Sequence, residues 1–431
     1  MISKNIFAQI ILDFQAGNLP ELLERDLKIN LPLPIKRALV IFGPRRSGKT
    51  YFLFLLIKKI LAGGVAKERT LYINFENPNL IGADVKDLVK LLEVFYELYP
   101  KNKNQKTFLF FDEIQNIPGW EVFIRHAIDA ENTQIILSGS SSKLLSKEIA
   151  TSLRGRTIAH LMLPFSFGEV LRAKNIAYEK YLSSADQSKI VKIFNNYLNN
   201  GGYPEIVLYP EGKEKIVGDI IEATIFKDLI ERHKIRNIKV IKMMFQQLVR
   251  AKEFSVHQFF NFLKSMNIKV SKNSLYNYLE YFNDAFIFFP LRKFSYSLKE
   301  VEKSMPKIFT VDNALIDSVI SNENGKKFEN LVFLKLLQKE FVINRDLFYR
   351  KLSGGEIDFV IKEKGKVVLL MQSCFDLSDL QTKEREIKSL LQASDELSCN
   401  NLLLINNEEE KEEKFGKKTI KFVPLWKWLL E

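Results

Sequence analysis

The sequence predicts an α/β protein: a buried parallel sheet with a helical lid, then a helical unit ending in a two-stranded ribbon, and last a smaller α/β domain. Three observations predict it. "RALVIFG" (37–43) is an apolar run without alternation that breaks into a glycine loop and resumes as "KTYFLFLLIKKILA", the pattern of a strand buried on both faces followed by a buried helix. A second run of this kind, "KTFLFFDEIQNI", ends in two adjacent carboxylates. From Phe165 the pattern turns helical, and near "GGEIDFVIKEKGKVVLLMQSCFDL" it reads as a hairpin.

Composition bounds the reading. A chain of 431 residues exceeds one core and suggests about two to four domains. An apolar fraction of 46% with 27% charged residues is that of a globular protein. Cys374 and Cys399 are the only cysteines, too few for a disulfide framework, so a reducing compartment is expected. "MISKNIFAQIILDFQAG" is interrupted by Gln9 and Asp13 and lacks a small-residue cleavage site, so no signal peptide is read. The most apolar run, "YFLFLLI", stops at Lys58, too short to span a bilayer. A cytoplasmic protein without membrane partners is expected.

The loop between the first strand and helix, Gly43, Pro44, Arg45, Arg46, Ser47, Gly48, Lys49 and Thr50, fits G-x-x-x-x-G-K-[ST]. In such a P-loop the glycines let backbone N–H groups turn toward phosphates, the lysine adds a point charge and the threonine hydroxyl is a magnesium ligand. The following helix N-terminus adds to the anion site. Asp112, at the end of its strand, would hold magnesium through water. Glu113, one residue on, would polarise an attacking water. ATP and Mg2+ are therefore the expected nucleotide and ion.

"TLYINFENP" (70–78) and "TQIILSGSSS" (133–142) read as further strands with polar carboxyl ends, where ligands of open parallel sheets sit. This places Glu76, Asn77, Ser138 and Ser140 near the loop. Ser140 is the first choice to sense the γ-phosphate or orient water, Ser138 the second. "TSLRGR" follows, before the strand "TIAHLML"; Arg154 or Arg156 would suit a finger reaching a neighbouring subunit's nucleotide.

Together "GPRRSGKT", "FLFFDEIQNIPGW", "ILSGSSSKLLSKEIATSLRGR", "LPFSFGEVL" and "YLNNGGYPEIV" resemble the AAA+ superfamily ATPases of archaea and bacteria that carry a C-terminal domain of unknown function. The resemblance continues through "IFKDLIERHKIRN" and "GGEIDFVI". It implies that Lys49, Thr50, Asp112 and Glu113 serve nucleotide and magnesium, that Ser140 is a sensor and that Arg156 is the finger. Asn77 stands where relatives usually show an acidic residue.

The expected organisation is an N-terminal arm (1–35), the P-loop core (36–165), a helical lid (166–232), a winged helix-turn-helix (233–315) and a nuclease-like domain (322–431). "SFGEVLRAK" has capping-box spacing; helices at 187–200 and 213–232 follow, joined by the turn-rich "NNGGYPE". In "FSVHQFFNFLKSMNIKVSKNSLYNYLEYFND" two helices are read. The second carries Leu275, Tyr278, Leu279 and Phe282 on one face, with Ser271 as its N-cap. Lys272, Asn273, Tyr276 and Asn277 face the other way and are the DNA-contact candidates. "AFIFFPLRKF" and "MPKIFTVD" read as strands around a basic loop. From Lys234 to Lys307 there are 14 Lys/Arg against 5 Asp/Glu, a footprint for nucleic acid or another polyanion.

The C-terminal order, helix "GKKFENLVFLKLLQKEF", strand "DLFYRK", the hairpin, helix "TKEREIKSLLQAS" and strand "NLLLINN", resembles the PD-(D/E)xK nuclease fold. Glu329 and Asp358 match its first two acids, but Gln372 and Cys374 replace its third acid and its lysine. A neutral amide and a thiol supply neither charge, so the site is expected to be vestigial. "EEEKEEK" (408–414) reads as a solvated loop. ATP hydrolysis coupled to DNA binding or remodelling by an oligomer is the expected function. The alternatives are a nucleotide-dependent switch docking a protein partner on the winged helix, and an ATP-regulated nuclease.

Overall fold

A computed structural model describes residues 1–140, 153, 155–179 and 181–431. The chain divides into two compact units, Met1–Leu163 with Asp284–Phe286, and Pro164–Asn283 with Ile287–Glu431.

The first unit is built on five strands, β1 (Ala38–Phe42), β2 (Thr70–Asn74), β3 (Thr107–Asp112), β4 (Thr133–Gly139) and β5 (Thr157–Leu161). They run in the order β2-β3-β4-β1-β5, with every pairing parallel. The inner strands β1 and β3 are buried along their whole length, which is why they read as unbroken apolar runs. Because β4 lies between them, with Ser138 opposite Ile41, its polar carboxyl end falls beside both the loop after β1 and the carboxylates after β3. The helix Lys49–Ala62 begins at Gly48, whose φ of 92° lies in the left-handed region that glycine adopts without strain. Residues 1–35 are more than an arm. Lys4–Ala16 is a helix capped by Ser3, and its Phe7 and Ile11, one turn apart, are both buried.

The second unit begins with helix Phe167–Ala173, whose capping box pairs Ser166 with Glu169. Helices Ser184–Asn200, Pro204–Leu208 and Lys213–Ala223 follow, the last continuing as a π-helical stretch Thr224–Glu231. Helices Ile238–Arg250, Val256–Ser265 and Lys272–Asp284 come next, then β6 (Phe288–Leu291) antiparallel to β7 (Lys307–Thr310). The connection between these strands carries a short helix, Leu298–Lys303. Ser271 Oγ accepts from the Ser274 N–H at 3.0 Å, as an N-cap does.

The last part is a six-stranded mixed sheet in the order β12-β13-β11-β10-β9-β8. Its strands are β8 (Leu347–Lys351), β9 (Glu356–Glu363), β10 (Lys366–Ser373), β11 (Leu402–Asn406), β12 (Lys411–Phe415) and β13 (Lys418–Pro424). Helices Asn324–Gln338 and Leu380–Leu397 accompany it, and β9 and β10 form the expected hairpin. The charged run 408–414 departs from expectation: Lys411–Phe415 is a strand at the sheet edge. An edge strand needs only one backbone partner, and its charges stay in water while discouraging further pairing.

A polar joint fastens the helices of this unit to its C-terminal part. The Asp312 carboxylate accepts from the Gly202 N–H at 2.7 Å and the Ala314 N–H at 2.8 Å. Asn313 Nδ2 donates to Leu198 O at 2.8 Å. Gly201 has φ 72°, and a Cβ there would lie 1.6 Å from Asp312 Oδ1. Gly201→Ala is therefore expected to cost about 2–4 kcal/mol, the left-handed strain plus a lost buried hydrogen bond. A chemical-denaturation midpoint checks it.

Candidate active site

The site of the first unit lies at the carboxyl ends of β1, β3 and β4. Lys49 is buried, its ammonium donating to Gly43 O at 3.1 Å and Pro44 O at 2.8 Å. Thr50 Oγ1 donates to Asp112 Oδ2 at 2.6 Å. Ser138 Oγ donates to the other oxygen, Asp112 Oδ1, and accepts from the Glu113 N–H at 3.1 Å. Ser140 Oγ donates to Glu113 Oε2 at 3.1 Å, and Gln115 donates to the same oxygen. Glu113 Oε1 faces the Lys49 ammonium at 3.8 Å.

The two carboxyl groups titrate in opposite directions. Burial pushes Asp112 up, and the hydroxyl donors of Ser138, Thr50 and Tyr72 only partly offset it. Glu113 is also penalised by burial. Lys49, the Gln115 amide, Arg45 and Ser140 together outweigh that and hold it below the ordinary carboxylate range. Glu113 is thus an ionised carboxylate at neutral pH, set in a left-handed turn at φ 54° directly after β3.

Three groups escaped sequence reasoning. Tyr72 donates its hydroxyl to Asp112 Oδ2 at 3.0 Å, and no motif marks it. Arg25, buried, donates to Ser47 O at 2.9 Å and Leu163 O at 2.8 Å, so the N-terminal segment braces the loop. Gln115 was visible only as part of "DEIQ". Of the candidates beyond the loop, Glu76 reaches Arg45 at 3.2 Å. Asn77 instead caps the turn Pro78–Leu80. The Arg156 guanidinium pairs with Asp129, and Arg154 lies outside the described residues.

In the second unit Lys272, Asn273, Tyr276 and Asn277 are exposed, while Leu275 and Phe282 are buried and Tyr278 and Leu279 half-buried. The face separation read from spacing is the one observed. In the C-terminal part, the Lys307 ammonium of β7 lies 2.8 Å from Glu329 Oε1, 2.8 Å from Asp358 Oδ1 and 3.2 Å from Glu356 Oε1. Asp358 Oδ2 accepts from both the N–H and the hydroxyl of Ser373, each at 2.9 Å. Gln372 is turned elsewhere, accepting from the Asp358 N–H at 3.2 Å and donating to Glu386. Burial, with Glu386 nearby, pushes the Cys374 thiol up to about 11, so it supplies no charge at neutral pH.

A P-loop opening a buried helix, with an acidic pair on the third strand of a β2-β3-β4-β1-β5 sheet, defines an AAA-type P-loop fold. The family model "AAA domain" matches residues 35–171. "Domain of unknown function (DUF8612)" matches 191–326, and "Domain of unknown function (DUF4143)" matches 324–428. The uncharacterized protein MJ1544 of Methanocaldococcus jannaschii is 40% identical over 100% of this chain and 96% of its own. An uncharacterized protein of Haemophilus influenzae is 30% identical over 91% of this chain and 94% of its own. The chain belongs to the family of these AAA-domain proteins. Among solved structures, the Walker-type ATPase PABY2304 of Pyrococcus abyssi aligns with a TM-score of 0.43 and 14% identity, covering 74% of this chain and 96% of that one. Among the described residues no helix is long and apolar enough to cross a membrane.

Proposed function

We propose that the chain is an ATPase that hydrolyses ATP with magnesium and couples turnover to DNA binding or remodelling as a homo-oligomer. The observation that carries the ATPase reading is Glu113: a buried, ionised carboxylate fixed by Ser140 and Gln115 beside the P-loop lysine. A site that only bound nucleotide would not need it.

The residues present fit magnesium. Thr50 and Asp112 already share a hydrogen bond at the loop, and Ser47 Oγ is buried without a hydrogen-bond partner, a sign of a loop shaped for further ligands. When bound, magnesium would neutralise phosphate charge, held by Thr50 directly and by Asp112 through water. Lys49 would exchange its two loop carbonyls for phosphate oxygens, and the loop N–H groups would hold the rest. Glu113 would orient a water and take its proton. Ser140, already on Glu113, would align that carboxylate and report on the phosphate. Arg156, once released from Asp129, would serve a neighbouring subunit's site.

DNA is favoured by the exposed face of the helix Lys272–Asp284. It presents Lys272, Asn273, Tyr276 and Asn277, and it is the third of three helices followed by a two-stranded ribbon, the element order of a winged helix. Steady-state phosphate release with and without single- and double-stranded DNA, at two salt concentrations, tests the coupling. Stimulation that fades with salt and is lost in Lys272→Ala/Tyr276→Ala supports it. A low rate indifferent to DNA would favour the nucleotide-dependent switch with a protein partner instead.

A further inference from the structure

The C-terminal α/β part carries a centre that the ATPase reading leaves unused. Three carboxylate oxygens, from Glu329, Glu356 and Asp358, converge on one point, and a nitrogen already sits there. Lys307, which comes from β7 and not from the nuclease-like elements, is 1% exposed. Its ammonium is within 3.2 Å of all three oxygens.

Further contacts load the centre. The second oxygen of Asp358 is taken by two donors of Ser373, and Lys252 pairs with Glu356 at 2.5 Å. Gln372, at the position of the fold's third acid, is committed to the Asp358 backbone and to Glu386. A magnesium ion asks for near-octahedral oxygen ligands and keeps several waters. Entering here, it would have to sit at contact distance from a positive charge, or expel a buried ammonium from its three carboxylate partners. Among the described residues no group of three or more His, Cys, Asp and Glu side chains stands ready to hold a metal ion. The residues at this centre do not fit a divalent metal.

We propose that the Lys307 ammonium occupies the cation position of the nuclease-like site and closes Glu329, Glu356 and Asp358 to divalent metal. The domain then keeps the nuclease-like architecture with a covalently supplied monovalent charge in place of an exchangeable ion. This explains why Gln372 and Cys374 are tolerated at motif positions: with no metal to ligate, the first has become a buried hydrogen-bond bridge, and the second a neutral filler.

The test is Mn2+ binding to the full chain without nucleotide, so that failure of the ATPase reading would not affect it. Free Mn2+ is followed by electron paramagnetic resonance, and the thermal midpoint is measured with and without the ion. The natural chain is expected to hold no Mn2+ that Asp358→Asn abolishes. Lys307→Met, similar in length and uncharged, is expected to gain about one Mn2+ per chain. Its affinity should be tighter by about 100-fold or more, since a like charge at contact distance costs at least two decades of affinity. Its midpoint should rise with added Mn2+, and Lys307→Met/Asp358→Asn should lose both effects. Asp358-dependent Mn2+ binding by the natural chain would overturn the proposal, as would a folded Lys307→Met that gains none. Should Lys307→Met fail to fold, the natural-chain arm still decides between the two.

Discussion

Glu113→Gln should bind ATP about as tightly as the natural chain and turn it over about 100- to 10,000-fold more slowly, the range lost with a general base. The amide keeps the shape of the side chain and its contact with Ser140, and it also spares the salt bridge partner Lys49 for phosphate. What it loses is the ability to accept a proton from water. The ionised state of Glu113 in the natural chain rests on Lys49, Gln115, Arg45 and Ser140 overcoming its burial. Lys49→Ala should differ in kind. It removes the positive charge at the phosphates, so nucleotide affinity and turnover should both fall. Equilibrium binding of a fluorescent ATP analogue, with phosphate release on the same preparations, separates the two. Full turnover in Glu113→Gln would remove Glu113 from the chemistry and leave Ser140 and Asp112 to be reconsidered.

Lys307→Ala should destabilise the second unit by about 3–5 kcal/mol, the cost of leaving buried charges without their partner. Burial alone would push the Lys307 ammonium down, but Asp358, Glu329 and Glu356 outweigh it and hold it well above the ordinary lysine range. Asp358, also penalised by burial, is held below the ordinary carboxylate range by Lys307. The signs then follow. A base with a raised folded pKa contributes stability that is full below its unfolded value and lost as pH rises through the folded one. An acid with a lowered folded pKa contributes stability that is full above its unfolded value and lost as pH falls through the folded one. The pair in the natural chain is therefore fully effective between the two, from about pH 5 to 9. In Lys307→Ala the carboxylates keep only Lys252, which pairs with Glu356, and their preference shifts toward the protonated form. The deficit should shrink as pH falls from 8 toward 5, and Lys307→Ala/Asp358→Asn should recover part of it. Urea unfolding at the two pH values measures both. A deficit that is small and independent of pH would show that the ammonium is solvated and replaceable.

Some of the site was legible because it is contiguous. The loop Gly43–Thr50 and the Asp112-Glu113 pair are each written in one stretch, and a buried parallel strand announces itself by an apolar run on both faces. The placement of Ser138 and Ser140 followed from the rule that strand ends converge in such sheets. Tyr72 and Arg25 left no such mark. Each acts through long-range contacts, Tyr72 across β2–β3 to Asp112 and Arg25 from the N-terminal segment to the carbonyls of Ser47 and Leu163. The charged run that became β12 was misread because an edge strand needs no buried face, so periodicity carries no signal for it. The separation of Leu275 and Phe282 from Lys272 and Tyr276 was legible because helical spacing alone determines which side chains share a face.

By itself the sequence determined the fold class, the loop that opens the helix, the carboxylates at the strand end, and the neutral Gln372 and Cys374 at positions where the resemblance led one to expect charge. These are properties of local order: spacing, periodicity and the identity of neighbours along the chain. Only the tertiary structure decided what replaced the missing charge. Lys307 precedes Glu329 by 22 residues and Asp358 by 51, in a short strand that otherwise holds two apolar residues and a threonine, and nothing in that stretch names its partners. The physical reason is that a buried charge is tolerated only where folding brings an opposite charge to contact distance. That distance is set by how β7, the helix Asn324–Gln338 and β9 pack together.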